Sequence, residues 1–321
     1  MGERVTLARF RHRRTHALPG PVSFTRVLLR GGWTQRDRGA AADIPVHPSP
    51  PVAPAAGCAV TWVGHATVLL RTRRQAVLID PSWSPRLRGA GHRLTPPGVE
   101  FTALPPLSAV LLTHDHPDHL DRPTLRRLPR HTPMLVPLGV GRWLRRTGFT
   151  QVVEHDWWQT TRLPGRHRLA CTLVPAHHWS GRSPLSLYQS LWGGWVITLG
   201  RHTIYHAGDT AYGPAFAAIR ARIGHPVDLA CLPVGGFAPR WFQAGAHVDP
   251  AEAVQACRDV GAHRMLPIHW GCWVLSSEPL LAPLHQTRHA WAAAGLPPAQ
   301  LWDLAVGESR TLTTSPTGAR P

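Results

Sequence analysis

Apolar residues in this chain fall into short runs, and polar residues collect where the runs end. AVTWVGHATVLLRT predicts a strand, a tight Gly64-His65 turn and a second strand. AVLIDPSW is an apolar run that stops at Pro81, a strand ending in a loop. LSAVLLTHDHPDHLD repeats the design, with a buried strand over residues 109–113 and then a His-rich loop. MLVPLG, RLACTLVPAHHW, WVITLGRHTIYHAGD, DLACLPVG and RMLPIHWG are further short apolar runs. Between them, DRPTLRRLP predicts a short helix with Asp121 as N-cap and Pro123 in its first turn. PAFAAIRARIG has helical periodicity, and DPAEAVQACRDVG predicts a helix starting at Asp249 with Pro250 just inside. Strands alternating with helices, plus several hairpin-like pairs, predict two sheets with helices outside, an α/β class. Residues 1–55 read differently: basic side chains, a Gly pair, then the Pro-rich PVHPSPPVAPAAG. They are expected to form an N-terminal basic and Pro-rich arm ahead of a folded domain at 56–321.

Length and composition narrow the class. A chain of 321 residues, 43% hydrophobic and 17% charged, can bury a full core and is not a disordered tail protein. No apolar run approaches the roughly 20 residues of a membrane span. No apolar stretch of signal-peptide length follows the basic RFRHRRTH, so no export is expected. Five scattered cysteines without a CxxC pair fit a reducing, cytoplasmic compartment. The net charge of +17 invites a nucleic-acid reading. However, the chain has no Lys and no Asn, the pattern of a GC-rich coding bias. The Arg residues are also spread out, with denser clusters only at residues 9–14 and 122–130, so no specific nucleic-acid partner is expected.

The chemistry lies in His114-Asp115-His116-Pro117-Asp118-His119, directly after a buried strand. Imidazole and carboxylate are natural ligands of zinc and similar divalent ions. A strand end followed by a loop can aim His114 and His116 at one metal, and Asp118 and His119 at a second. Three more strand ends complete the set: His177 and His178 in LVPAHHWSG, Asp209 in IYHAGDTAYG, and His269 in MLPIHWG. Each alone is an ordinary surface His or turn Asp; four such ends in one chain point to a metal site. Asp209 has two carboxylate oxygens and can hold one metal with each.

This order, HxHxDH, then His, then GDT, then IHWG, resembles the metallo-β-lactamase superfamily. It is closer still to one branch, the N-acyl-phosphatidylethanolamine-hydrolysing phospholipases D and their bacterial relatives. TWVGHATVLL, LIDPSWSPR, VLLTHDHPDHLD, VPLGV, DWW, PAHHWSGR, HAGDTAYGPAF, APRWF, HVDPAEAV and IHWG run in family order over residues 60–275. The resemblance implies a four-layer αβ/βα sandwich with two Zn2+ at one edge of the sheets. By motif, His114, His116 and His178 would hold the first zinc, Asp118, His119 and His269 the second, and Asp209 would bridge. His178 is favoured over His177 because the family ligand directly precedes Trp and because neighbours on a strand face opposite ways. His247, in HVDP, matches a family active-site His expected to bind a phosphate oxygen or assist the leaving group; its plain alternative is a surface His leading a helix. Asp118 is expected to orient the attacking water and take its proton. The animal phospholipase has Asn and Tyr where this chain has Asp115 and Pro117.

The resemblance implies a zinc phosphodiesterase acting on an N-acyl-phosphatidylethanolamine-like phospholipid. The alternatives are a soluble hydrolase of the same fold cutting a lactone or sugar phosphate, and a basic nuclease, for which no clamp segment is seen after residue 275. Trp157, Trp158, Trp179, Trp192, Trp195 and Trp241-Phe242 would either meet lipid or fill the core. Residues 9–14 ahead of the apolar stretch at 22–29 predict a peripheral contact at the inner membrane face. The alternative there is an ordinary strand or helix packed on the body.

Overall fold

The computed structural model describes residues 8–15, 19–29, 38–51, 53–87, 90–163 and 168–313. The first apolar runs form β1 (Cys58–Gly64), β2 (Thr67–Arg71) and β3 (Ala76–Ile79), an antiparallel meander. A short ribbon, β4 (Arg86–Leu87) and β5 (Gly91–His92), follows. Next come β6 (Ala109–Leu111), β7 (Met134–Pro137) and β8 (Val152–His155), which extend the meander from β3 in parallel. The second sheet contains β9 (Thr160–Leu163), β10 (Leu169–Val174), β11 (Gly194–Leu199), β12 (His202–His206), β13 (Leu229–Pro233) and β14 (Met265–Ile268). It is antiparallel from β9 to β12 and parallel from β12 to β14. The last strand, β15 (Ser309–Leu312), returns to the first sheet antiparallel to β1, giving the order β15-β1-β2-β3-β6-β7-β8.

The period of two along each strand explains why helices cover both outer faces. Val60, Trp62, Val68, Leu70, Val77, Ile79 and Leu111 join one core cluster with the residues of the second sheet. The alternate positions Leu69, Leu78, Val110, Met134 and Val136 form a second cluster. That cluster is covered by Leu125 of α2 (Arg122–Arg127) and Leu144 of α3 (Gly141–Arg146). On the second sheet, α4 (Ala215–Ile223) buries Phe216 and Ile219; a short α5 (Arg240–Gln243) follows β13, and α6 (Pro250–Asp259) buries Ala253, Val254 and Cys257. α7 (Ala282–Ala293) packs on α6 and buries Leu284 and Trp291. Two helix-flanked sheets stacked face to face are the αβ/βα sandwich expected from the sequence.

Some local expectations change. The strand predicted over residues 109–113 ends at Leu111, because the Thr113 N–H donates to the Asp80 carboxylate at 2.8 Å instead of to a neighbouring strand. Asp121 stands at the N-cap of α2, but its carboxylate does not cap the helix N–H groups. It accepts from the Ser84 N–H at 2.9 Å and the Ser84 hydroxyl at 2.7 Å, tying α2 to the loop after β3. Residues 21–29 form a helix, α1 (Pro21–Leu29), with Val27 buried and Val22 and Leu29 exposed. The segment before Cys58 is fastened to the body. Phe10 and Ile44 enter the core cluster, and the His47 N–H donates to the Val306 carbonyl at 2.7 Å. The Gly pair at 31–32 and the side chains of Phe24 and Leu28 lie outside the described residues. No helix among the described residues is long and apolar enough to cross a membrane.

The start of α6 follows the sequence reading closely. Asp249 accepts from the Glu252 N–H at 2.9 Å, and Glu252 accepts in return from the Asp249 N–H at 3.1 Å, a reciprocal capping box. Asp249→Ala should lower stability by about 1–2 kcal/mol, the usual cost of an N-cap. The measurement is the urea midpoint, which should fall with an unchanged slope; a wild-type midpoint would mean that the box contributes nothing.

Candidate metal centre

Parallel pairing aims the site. β3 runs parallel to β6, and β12 parallel to β13 and β14, so each set of strands ends on one edge of its sheet. Asp80 follows β3, residues 112–119 follow β6, Asp209 follows β12 and His269 follows β14. At this edge the structure gathers all seven predicted ligands, every one of them buried. His114, His116, His178 and Asp209 form one group and Asp118, His119 and His269 another, with ligand atoms in each group within 4.8 Å of one another. The second group also contains His65.

Asp209 lies between the groups. Its Oδ2 is 3.8 Å from His114 Nε2, 3.6 Å from His178 Nε2 and 3.3 Å from His119 Nε2. Its Oδ1 is 3.2 Å from His269 Nε2. Asp118 Oδ2 stands 3.4 Å from both His119 Nε2 and His269 Nε2. The turn that carries Asp209 requires a glycine before it: Gly208 has φ of 63°, and a Cβ there would meet the Thr113 Cβ at 2.7 Å.

Outer partners fix which ring nitrogen faces inward. The Nδ1–H of His119 donates to Asp80 at 2.8 Å, that of His178 to the Ala246 carbonyl at 2.9 Å, and that of His269 to the Gly235 carbonyl at 3.3 Å. His114 Nδ1 donates to the Thr113 hydroxyl at 2.9 Å, which donates onward to Asp80 at 2.6 Å. The inward Nε2 atoms of His114 and His178 therefore carry lone pairs, yet they lie 2.8 Å and 3.2 Å from His116 Nδ1. Buried His119 Nε2, His269 Nε2 and Asp209 Oδ1 have no hydrogen-bond partner among the described residues. Unpaired ring nitrogens and a carboxylate oxygen gathered in one buried space fit a divalent cation, and the donor set of imidazole and carboxylate suits one.

Electrostatics agree. Burial pushes His114 well below its ordinary value, His116 down to about 4, and His178 down to about 3. All three are neutral, the form that binds metal. Burial opposes ionisation of Asp118 and Asp209, but the neighbouring charge of His119 leads a set of interactions that holds both carboxyls well below their ordinary range. Burial also lowers His269, but Asp209 and Asp118 outweigh it and raise the group to about 9; His119 is likewise raised.

The remaining residues fall into place around this cluster. His247 lies beside it, its ring centroid 5.2 Å from His178, edge-on, and 5.4 Å from His269, tilted. His177 turns the other way, with Nδ1 2.6 Å from the Thr15 hydroxyl. Sequence reasoning missed four contributors: His65, Asp80, Thr113 and Arg182. His65, read only as a turn residue, donates from Nε2 to Asp118 Oδ2 at 2.9 Å. Asp80, read as the end of a strand, orients His119; the same pattern of apolar run then Asp that singled out other ligand ends could have found it. Arg182 donates to the carbonyls of Asp115 and Leu120, both at 2.8 Å, bracketing the HxHxDH loop.

A buried His/Asp cluster at the edge of two helix-flanked sheets defines a metallo-hydrolase. Residues 75–270 match the beta-lactamase superfamily domain, and the chain belongs to that family. It is 40% identical over 256 residues to an uncharacterised protein of Mycobacterium tuberculosis, across 74% of this chain and 67% of that protein. It is 32% identical over 243 residues to N-acyl-phosphatidylethanolamine-hydrolyzing phospholipase D 1 of Caenorhabditis elegans, across 71% of this chain and 68% of that one. A possible metal-dependent hydrolase from Veillonella parvula shares the fold, with a TM-score of 0.64 and 18% identity over 80% of this chain and 100% of that one.

Two outcomes test the centre. Asp80→Asn removes the carboxylate that orients His119 and should weaken metal binding about 10–100-fold, measured by chelator competition. Unchanged affinity would show that Asp80 serves packing alone. Because His119 and His269 are protonated at neutral pH in the metal-free chain, a divalent cation must displace protons on binding. Affinity should therefore fall as pH falls below about 9, and calorimetry in buffers of different ionisation enthalpy should show proton release at pH 7. No proton release would contradict the raised pKa values.

Proposed function

We propose that the protein is a binuclear zinc hydrolase, a phosphodiesterase of phospholipase D type acting on N-acyl-phosphatidylethanolamine-like phospholipids. The observation that carries this reading is a cavity of about 1150 Å³ whose lining joins the cluster residues His116, Asp118, Asp209 and His269 to apolar side chains. Pro117, Pro184, Leu185, Leu187, Phe242 and Leu275 supply that apolar lining. A polar reacting centre continuous with an apolar wall suits an amphiphile, with the phosphodiester at the cluster and acyl chains along the wall. The relationship to the Caenorhabditis elegans protein supports the same substrate class.

His114, His116 and His178 would hold one zinc, Asp118, His119 and His269 the other, with Asp209 shared between them. When bound, the two ions lower the pKa of water and neutralise charge developing on a phosphoryl oxygen. Asp118 is kept ionised by its histidine neighbours, so it can orient the attacking water and accept its proton. Water adds to phosphorus, the phosphorus–oxygen bond to the head-group alcohol breaks, and phosphatidate and the protonated alcohol leave. Burial pushes His247 down to about 3, so it is neutral and serves as a hydrogen-bond donor to a phosphate oxygen rather than as a charged acid.

We place the protein in the cytoplasm with a peripheral contact at the inner membrane face. Exposed Leu185 lines the cavity, and exposed Trp241 adjoins the lining residue Phe242. Arg26 of α1 lies 4.9 Å over the Trp241 ring, which sets exposed Val22 and Leu29 on a helix beside the same wall. These apolar side chains suit lipid contact.

Purified protein should carry close to two zinc equivalents and release phosphatidate from vesicles containing N-acyl-phosphatidylethanolamine. Asp209→Ala should lose metal and activity together. Turnover confined to lactones or sugar phosphates would favour the soluble hydrolase, and full activity of Asp209→Ala would refute the bridging role.

A further inference from the structure

The charged residues lining the cavity divide into two sets. Asp118 and Asp209 are the acids, and both belong to the ligand cluster. The other charged lining residues are Arg11, Arg14 and Arg182. Among the described residues, no Asp or Glu offsets them along the cavity wall. Arg182 is engaged with the carbonyls of the HxHxDH loop. Arg11 and Arg14 come from the N-terminal segment, at the far end of the sequence from the cluster.

That segment is held in place by contacts that leave these two charges facing the cavity. Phe10 is buried in the core, and its N–H donates to the Tyr188 carbonyl at 2.8 Å. Arg13 pairs with Asp156 at 3.1 Å and lies 5.1 Å over the Trp157 ring. Thr15 meets His177 at 2.6 Å. Arg14 donates to the Tyr188 hydroxyl at 3.2 Å, with Tyr188 itself part of the lining. Arg13 thus has a carboxylate partner, whereas neither Arg11 nor Arg14 has one within ion-pair distance among the described residues. Guanidinium groups beside an apolar wall that supplies no competing negative charge attract an anionic oxygen.

We propose that Arg11 and Arg14 form an anion subsite of the substrate cavity, which takes a second anionic group, a carboxylate or phosphate on the head group of an amphiphile whose phosphodiester lies at the ligand cluster. The position of the phosphodiester rests on the proposed function; the subsite is a binding property that can be read without turnover. It favours lipids whose head group carries an extra negative charge over zwitterionic or neutral ones.

The test compares N-acyl-phosphatidylserine with N-acyl-phosphatidylethanolamine, which differ by one head-group carboxylate, in neutral detergent micelles that remove any charged surface. Titration calorimetry on the purified, metal-bearing protein gives Kd, and phosphatidate release is followed in parallel. The serine lipid should bind about tenfold more tightly, the size of one charge-assisted contact, and the preference should shrink as salt rises. The double substitution Arg11→Ala and Arg14→Ala should abolish the preference, read as the ratio of the two Kd values so that any general weakening cancels. Arg11→Glu, at an exposed side chain, should turn the preference against the serine lipid without removing an anchor. No preference in the wild-type protein would overturn the subsite. Equal weakening of both lipids in the double variant would also overturn it, since Arg14 would then only hold the wall. If the binding preference stands while neither lipid yields phosphatidate, the subsite survives and the phospholipase reading fails.

Discussion

Two ionised carboxylates, Asp118 and Asp209, lie buried among imidazoles, and the structure is arranged so that their charge is always compensated. Removing a carboxylate from water costs several kcal/mol unless partners restore what hydration supplied. Without a cation, His119 and His269 supply the compensation by holding protons. The other cluster histidines stay neutral, because burial and their charged neighbours leave no room for further positive charge. The metal-free pocket is therefore loaded with protons, which a divalent cation bound there would displace.

Holding this cluster strains the backbone where it matters. His65, Asp80 and His269 adopt positive φ values of 54°, 44° and 63°. Such conformations cost about 1–3 kcal/mol each outside glycine and persist only where the surroundings enforce them. Here they are enforced by pairing. The His269 N–H donates to the His65 carbonyl at 3.0 Å, and the Trp62 indole donates to the same carbonyl at 2.8 Å. Asp80 is held by Thr113 and His119 together. One strained turn after β1 and one after β14 thus brace each other across the two sheets.

The chemistry-bearing strand ends were legible because their signal is local. An apolar run closed by His or Asp is visible in a few residues, and all seven predicted ligands meet in space. The strands β1, β2 and β3 were equally readable as apolar runs, and so was the start of α6 at Asp249 and Pro250. What escaped depends on direction rather than composition. His65 reads as a turn residue, and only its left-handed backbone turns the ring onto Asp118. The Trp residues show the same limit. Trp192 and Trp195 are core residues whose indoles donate to the Ala176 and Leu112 carbonyls, while Trp179 lines the cavity and Trp241 is exposed.

The N-terminal segment makes the same point at longer range. Its basic and Pro-rich composition reads as an arm because no periodic apolar face announces a core contact. Single residues fasten it instead: Phe10 and Ile44 in the core, and Arg13 on Asp156. Its contacts with His177 and Tyr188 fall on the stretch that also carries His178 and the apolar lining residues Leu185 and Leu187. That stretch is in turn joined to the HxHxDH loop, since the Gly181 N–H donates to the Asp115 carboxylate at 2.7 Å and Arg182 grips the loop carbonyls. A continuous set of contacts therefore runs from the first described residues, through the cavity wall, to the clustered residues of the first group. The arm therefore forms part of the cavity wall, with Arg11 and Arg14 among its lining residues.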